Sequence, residues 1–164
     1  MNFKKIRKLA VIDFDDTLVI TDAKVRVTNK GLELSTLEFG KYKRENDDVY
    51  DLSDFRTGKL KNPRPTEFFK IIFKKIIAGD SDVMILTARP QMYDKEIENF
   101  LTKHISLERL IIVGGADTPE KKKVEIEKRI NDYENIEFFD DSESNIAAVE
   151  ELKSPKVKTQ IVKN

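Results

Sequence analysis

Three aspartates stand close together near the start of the chain, directly after a short apolar run. The run Leu9–Ile12 is typical of a buried strand, and Asp13, Asp15 and Asp16 follow it. An unpaired carboxylate is costly in an apolar interior, so we expect these side chains at the exit of the strand. Side chains alternate between faces in an extended chain, so Asp13 and Asp15 point the same way. Two such carboxylates need a cation between them or a shared proton; a turn of solvated aspartates is the simple alternative.

Further polar side chains follow later apolar runs, at the points where the predicted strands end. They are Thr87, Arg89, Asp140 and Asp141, and a run of lysines at 121–123 opens the helix before the last of these strands. Because strands alternate with helices along the chain, we predict a parallel sheet that is covered on both faces. The site of such a sheet lies beyond the carboxyl ends of its strands. We therefore expect these residues to meet Asp13 at one edge of the sheet.

Composition excludes several kinds of chemistry. The chain has 164 residues, no cysteine and one histidine, which rules out disulfides, thiolate nucleophiles and a histidine-rich metal site. Thirty basic and thirty acidic residues cancel, so net charge argues neither for nor against a nucleic-acid partner. No stretch has the length and apolarity of a signal peptide or a membrane span, so we expect a cytoplasmic protein without a membrane partner. The length predicts one domain, residues 1–164.

The order of elements predicts an α/β fold. We expect a Rossmann-like three-layer sandwich with a mainly parallel five-stranded sheet and a small β-hairpin flap after the first strand. The strands of that sheet are predicted at 9–12, 82–86, 110–113, 136–139 and 157–162.

A small insertion, residues 18–62, separates the first strand from the rest of the sheet. Alternating residues around Asn29-Lys30-Gly31 predict the hairpin over 24–34. Ser35 and Glu38 have the spacing of a capping box, which predicts a short helix after the hairpin. Residues 45–58 are acidic and irregular, and we predict a solvated loop there, although its aromatic residues favour packing against the body.

The predicted site holds up to four carboxylates, a hydroxyl, a lysine and an arginine. Carboxylates with few neutral ligands suit a hard cation, above all Mg²⁺. A carboxylate beside such a cation can attack phosphorus, and a second acid two residues later can protonate the leaving oxygen and then deprotonate water. A threonine hydroxyl and a lysine ammonium can neutralise the phosphoryl oxygens. These residue types predict phosphoryl transfer.

The ordered set resembles the four motifs of the haloacid dehalogenase (HAD) superfamily. Asp13-x-Asp15-x-Thr17 is similar to the first motif and Thr87 to the second, while a lysine of 121–123 and the Asp140-Asp141 pair are similar to the third and fourth. The resemblance implies that Asp13 is the nucleophile and that Asp15 is the general acid/base. It also implies that Mg²⁺ binds the Asp13 carboxylate, the Asp15 main-chain carbonyl and Asp141, and that Thr87 and the lysine are catalytic. Asp140 would orient the lysine or a metal-bound water.

The choice of lysine is left open by the sequence. Lys122 stands four residues after Thr118, which can cap the helix, and four before the apolar Ile126, so we prefer it to Lys121. Asn145 is expected to cap or pin the loop of the fourth motif.

More narrowly, the chain resembles the phosphatase domain of bacteriophage polynucleotide kinase/phosphatase, without the kinase domain. The shared features are Asn62-Pro63 before a helix, the Thr87-Ala88-Arg89 triplet and Asp140-Asp141. This resemblance implies that Arg89 contacts substrate, a structural salt bridge being the alternative, and we expect Thr17 to contact substrate too. The substrate would be a nucleic-acid 3′-phosphate end or a nucleotide. The alternatives are a small-molecule phosphatase or nucleotidase, a phosphotransferase, and a catalytically idle HAD-fold binding module.

Basic residues of the hairpin bear on the substrate. Lys24, Arg26 and Lys30 could meet a nucleic-acid backbone. The acidic stretch 45–58 opposes that interpretation, and a charged hairpin edge can also serve to deter aggregation.

Overall fold

The computed structural model describes residues 7–164. In that range the chain forms ten strands, which are β1 (Lys8–Ile12), β2 (Val19–Ile20), β3 (Lys24–Val27), β4 (Leu32–Ser35), β5 (Tyr50–Asp51), β6 (Arg64–Pro65), β7 (Asp82–Leu86), β8 (Leu110–Val113), β9 (Asn135–Asp140) and β10 (Val157–Ile161). Its α-helices are α1 (Thr36–Lys41), α2 (Lys74–Ala78), α3 (Asp94–Leu101), α4 (Pro119–Glu127) and α5 (Glu143–Glu150). None of the described helices is long and apolar enough to cross a membrane.

The centre of the molecule is a sheet of five parallel strands in the order β10-β9-β1-β7-β8. The predicted parallel sheet and its five strands are confirmed. In this order β1 lies between β9 and β7, so the residues that follow β1 have the ends of both neighbours beside them. The predicted fourth strand extends one residue further at its end, which makes Asp140 its last residue.

Side chains of the central strands alternate between two apolar clusters, one on each face of the sheet. Ala10 and Ile12 of β1 belong to one cluster, with Phe73 and the α3 side chains. Leu9 and Val11 belong to the other, with apolar side chains of α4 and α5. Helices therefore cover both faces, and the three-layer α/β sandwich is confirmed. The helix after Asn62-Pro63 includes a π-helical stretch, Phe69–Phe73, directly before α2.

The insertion forms a small antiparallel sheet in the order β4-β3-β5, which we call the flap sheet. The predicted hairpin is present, with Lys24 opposite Ser35 and Val27 opposite Leu32. The turn ends at Gly31, whose φ of 63° lies in the left-handed region that glycine adopts without strain. The predicted capping box is also present, because Ser35 accepts from the Glu38 amide and the Glu38 carboxylate accepts from the Ser35 amide.

Residues 45–58, which we predicted to be a solvated loop, contain regular structure. Strand β5 pairs with β3, and a 3₁₀ turn follows at Ser53–Phe55. The physical reason is charge neutralisation. Arg26 lies 3.3 Å from Asp54, and Lys30 lies 2.8 Å from Glu45 and also pairs with Asp48. Acidic residues that would keep an isolated loop solvated are paired here with the basic residues of the hairpin.

Candidate active site

The loop after β1 turns back on itself and brings a hydroxyl to the first aspartate. Asp13 stays in register with β9, because its amide donates to the carbonyl of Phe139 at 2.9 Å. Asp16 has a φ of 63°, a conformation that aspartate tolerates better than most residues. The reversed chain places Thr17 Oγ1 3.0 Å from Asp13 Oδ2 and 3.2 Å from Asp141 Oδ1. The hydroxyl therefore links the ends of two neighbouring strands.

One lysine of the run reaches this loop. The Thr118 side chain caps α4, and Pro119 occupies its first position, where a missing amide proton costs nothing. This start turns Lys122 toward the sheet. Its Nζ lies 2.7 Å from Asp13 Oδ1 and 2.7 Å from Asp140 Oδ2. Lys121 points to solvent instead and pairs with Asp117.

Asp140 is fully used by its protein partners. Its Oδ2 accepts from Lys122 and, at 3.0 Å, from Asn145 Nδ2, while its Oδ1 accepts from the Ser142 amide at 2.8 Å. A carboxylate with this many donors is held rigidly and holds its lysine in turn. Asn145 pins this loop, as its position in the sequence suggested.

The acids outnumber the cations in this pocket. Asp13, Asp140 and Asp141 each offer an oxygen within 4.8 Å of the others, against one ammonium from Lys122. Burial raises the pKa of Asp13 well above its usual range, and the neighbouring Asp140 adds to the rise despite Lys122. Burial and Asp140 also raise the pKa of Asp141. A deficit of positive charge among oxygen ligands is what a divalent cation such as Mg²⁺ fits.

The lysine keeps its charge. Burial lowers the pKa of Lys122, but the carboxylates of Asp13 and Asp140 outweigh burial, and the net shift is upward. The pocket therefore contains a charged ammonium next to a carboxyl group whose charged form is disfavoured by burial.

Asp15 and Arg89 form an ion pair beside this cluster. Arg89 Nε lies 3.1 and 2.9 Å from the two oxygens of Asp15, and Nη2 lies 2.8 Å from Oδ1. The Asp15 side chain thus faces Arg89, whereas Asp13 faces Lys122. The substrate contact predicted for Arg89 stays a prediction, since the donors described here go to Asp15 and Thr21.

Thr87 stands at the end of β7, the strand next to β1. Its hydroxyl is fully buried and accepts from the Arg89 amide at 3.1 Å. Among the described hydrogen bonds, none joins Thr87 to Asp13 or Lys122. The structure thus links Asp13, Thr17, Lys122, Asp140 and Asp141 through a continuous set of hydrogen bonds. The catalytic role of Thr87 stays a prediction, as do the roles of the other residues.

Two side chains support the loop after β1 in a way that the sequence did not predict. Thr66 Oγ1 donates to the Thr17 carbonyl at 2.6 Å, and Asn164 Nδ2 donates to the Asp16 carbonyl at 2.7 Å. Asn164 Oδ1 also accepts from the Phe68 amide at 2.9 Å. Thr66 had a local signal, because a threonine after proline often begins a helix. Asn164 had none.

Comparison with known proteins identifies the fold. No family model and no curated protein sequence matches the chain. Among solved structures, the HAD domain of the Legionella pneumophila effector Lem4 is similar over 95% of this chain and 86% of that chain, with 19% identity and a TM-score of 0.51. The L. pneumophila effector Ceg4 is similar over 98% of this chain and 89% of that chain, with 14% identity and a TM-score of 0.50. At these identities the similarity shows the fold alone, and the chain has a HAD-like fold.

Proposed function

We propose that the protein is a Mg²⁺-dependent phosphomonoesterase that acts through an aspartyl-phosphate on Asp13. One observation carries the proposal: the Asp13 carboxylate is buried with Lys122 on one oxygen and Thr17 on the other, beside Asp141. A buried carboxylate in contact with an ammonium and short of positive charge is suited to a phosphoryl group and its metal. The HAD-like fold is consistent with this chemistry and does not by itself show it.

The proposed metal ligands are those that the family resemblance implies, and the grouping of Asp13 with Asp141 supports two of them. The carboxylates of Asp13 and Asp141 and the main-chain carbonyl of Asp15 would hold Mg²⁺. When bound, the ion would neutralise charge on the phosphoryl oxygens and relieve the crowding of acids. Asp140, whose oxygens are taken by Lys122, Asn145 and Ser142, would hold the lysine and stay out of the ligand set.

The two chemical steps are assigned to Asp13 and Asp15. An oxygen of Asp13 attacks phosphorus and the ester P–O bond breaks. Asp15 must carry a proton for this step, although Arg89 beside it favours the carboxylate, and it gives that proton to the leaving oxygen. Asp15 then takes a proton from water, which attacks phosphorus and releases phosphate from Asp13. Lys122 and the hydroxyls of Thr17 and Thr87 would stabilise the phosphoryl oxygens as charge develops.

We propose a nucleic-acid 3′ end or a nucleotide as the substrate, which the resemblance to the bacteriophage phosphatase supports. One observation favours the alternative, a small-molecule phosphatase or nucleotidase. Arg26 and Lys30, two of the hairpin residues expected to meet a phosphate backbone, are paired with acids of the flap.

The test is phosphate release with and without Mg²⁺, from 3′- and 5′-phosphorylated oligonucleotides and from mononucleotides. Asp13→Asn serves as the control, because it is isosteric and removes the nucleophile. Release that needs Mg²⁺ and Asp13 supports the phosphatase assignment, and the preferred ester identifies the substrate class. Magnesium binding without release from any ester would favour the idle binding module.

A further inference from the structure

We propose that the insertion, residues 18–62, contributes a positioning residue to the reaction, Phe55, which orients Asp15 by holding Arg89. The inference rests on the proposed function, in which Asp15 transfers the proton. It gives the insertion a part in the chemistry in addition to any contact with substrate.

Arg89 determines where the Asp15 carboxylate lies. Its Nε and Nη2 reach both carboxylate oxygens at 2.8–3.1 Å, and Nη2 also donates to Thr21 Oγ1 at 3.2 Å. A planar guanidinium that binds a carboxylate through two nitrogens sets its direction as well as its distance. A shift of the guanidinium therefore moves the acid.

The guanidinium is itself held by two aromatic rings. Arg89 Cζ lies 5.1 Å from the ring centroid of Phe55 and 4.8 Å from that of Tyr93. The side chain is 2% exposed, and its Nη1 is buried without a hydrogen-bond partner among the described residues. A buried donor without an acceptor is costly, so the contacts with the rings are the compensation available to this nitrogen. Loss of one ring frees the guanidinium to move.

Phe55 and Tyr93 come from different parts of the chain and are tied together. Tyr93 follows β7, whereas Phe55 ends the 3₁₀ turn of the flap. The Tyr93 hydroxyl donates to the Asp54 carbonyl at 3.2 Å and lies 3.4 Å from Thr57 Oγ1. These bonds hold the turn against the body, with the Phe55 ring over Arg89.

The hairpin holds the other side of the turn. The Asp54 carboxylate accepts from the Lys24 amide at 2.9 Å and from Arg26 Nη1 at 3.3 Å. Contacts therefore run without a gap from the flap sheet through the turn to Arg89 and Asp15. This arrangement explains why the acidic stretch is ordered, since its charges fasten the turn that supports the acid.

The position of the acid matters most for esters whose leaving group is strongly basic. An alkoxide must receive the Asp15 proton as the P–O bond breaks, whereas para-nitrophenolate leaves readily as an anion. The ratio kcat/KM reports the steps from substrate binding to phosphorylation of Asp13, so it includes this proton transfer and excludes hydrolysis of the aspartyl-phosphate. A displaced Asp15 should therefore penalise alkyl phosphates selectively.

The experiment compares Phe55→Leu with wild type on an alkyl phosphate and on para-nitrophenyl phosphate. We expect kcat/KM to fall about tenfold for the alkyl ester and less than about threefold for the aryl ester. A displaced acid that still reaches the leaving oxygen loses only part of the roughly 10²–10⁴-fold that general acid–base catalysis contributes. Phe55→Tyr keeps the ring and should therefore keep kcat/KM for the alkyl ester near the wild-type value. Phe39→Leu is the matched control, because Phe39 lies in the same insertion and has an arginine, Arg44, 4.5 Å from its ring centroid. Loss of the Phe39 ring should leave kcat/KM unchanged for both esters.

Equal slowing of the two esters by Phe55→Leu, or no slowing, overturns the inference. A second readout does not need activity. The nitrogen-15 NMR signal of Arg89 Nε–H should be protected from exchange in wild type and Phe39→Leu and lost in Phe55→Leu. Its persistence in Phe55→Leu also overturns the inference. Absence of phosphate release by wild type would refute the proposed function alone, and the NMR signal would still test whether Phe55 holds Arg89.

Discussion

Replacing Lys122 by methionine tests the charge balance of the site without assuming any substrate. Lys122 is 3% exposed and lies 2.7 Å from both Asp13 and Asp140. Methionine has a similar length and no charge, so it keeps most of the packing. The variant leaves three carboxylates of the cluster without their ammonium.

The expected loss of stability is large. At 2.7 Å and an effective dielectric of about 20, each ion pair attracts by about 6 kcal/mol. Burying the lysine costs several kcal/mol in return, and breaking a buried pair from one side costs about 3–5 kcal/mol net. We expect Lys122→Met to lower the free energy of unfolding by that amount, out of a total of about 5–15 kcal/mol for a typical domain.

The loss should depend on pH with a definite sign. The pKa of Asp13 in the fold is raised above its ordinary value of 3.8. A raised pKa means that the folded state favours the protonated acid, so this group stabilises the fold below pH 3.8 and loses that contribution as the pH rises through its folded pKa. Removing Lys122 raises the folded pKa further. The variant should therefore differ most from wild type near pH 8 and least near pH 4.

The assay is urea unfolding in EDTA at both pH values, with Lys121→Met as the matched control. Lys121 is the neighbouring residue of the same run, and its partner is the exposed Asp117; exposed pairs contribute about 0–1 kcal/mol. If Lys122→Met costs no more than Lys121→Met, or if its cost is the same at both pH values, the charge balance derived for this pocket is wrong. A partial recovery with Mg²⁺ is expected, because the ion supplies the missing positive charge.

Three further predictions follow from the loop after β1 and its supports. Burial raises the pKa of Asp16 from 3.8 to about 6, so the charge of this group destabilises the fold above that pH. In urea unfolding with EDTA, Asp16→Asn should raise the free energy of unfolding by roughly 1–2 kcal/mol at pH 8, after allowance for screening by solvent. It should have no effect near pH 3.5, where the acid is protonated. A Cβ on Gly114 would lie 2.8 Å from the Arg89 carbonyl; Gly114→Ala should cost about 1–3 kcal/mol in thermal unfolding, whereas a Cβ on helical Gly40 meets nothing, so Gly40→Ala should be neutral or stabilising. Asn164→Ala removes the bond to the Asp16 carbonyl and should lower kcat more than it raises KM, a result that an unchanged kcat would contradict.

Local patterns in the sequence determined the elements and the edge of the sheet where polar residues collect. The apolar run before Asp13 and the later apolar runs predicted the strands, because a buried strand can be recognised from about four or five consecutive residues. Ser35 and Glu38 predicted the start of α1, since a capping box joins two residues that are three positions apart in the sequence. In a parallel sheet all carboxyl ends lie at the same edge, so the sequence placed Asp13 and Asp140 at that edge. The strand order of the folded sheet, in which their strands are neighbours, brought them together.

Tertiary structure decided which partners the charged residues take. The sequence did not decide whether Lys121 or Lys122 is the lysine of the site. The packing of buried Ile126 turns Lys122 inward and leaves Lys121 in solvent. Residues 45–58 looked solvated because their acids were counted without the hairpin bases that neutralise them. Arg89 binds Asp15, a residue 74 positions earlier in the chain, and no local pattern predicted this partner; its contact with substrate stays a prediction. Which ion pairs form depends on all the charges that the fold brings close together, and a short stretch of sequence does not contain that information.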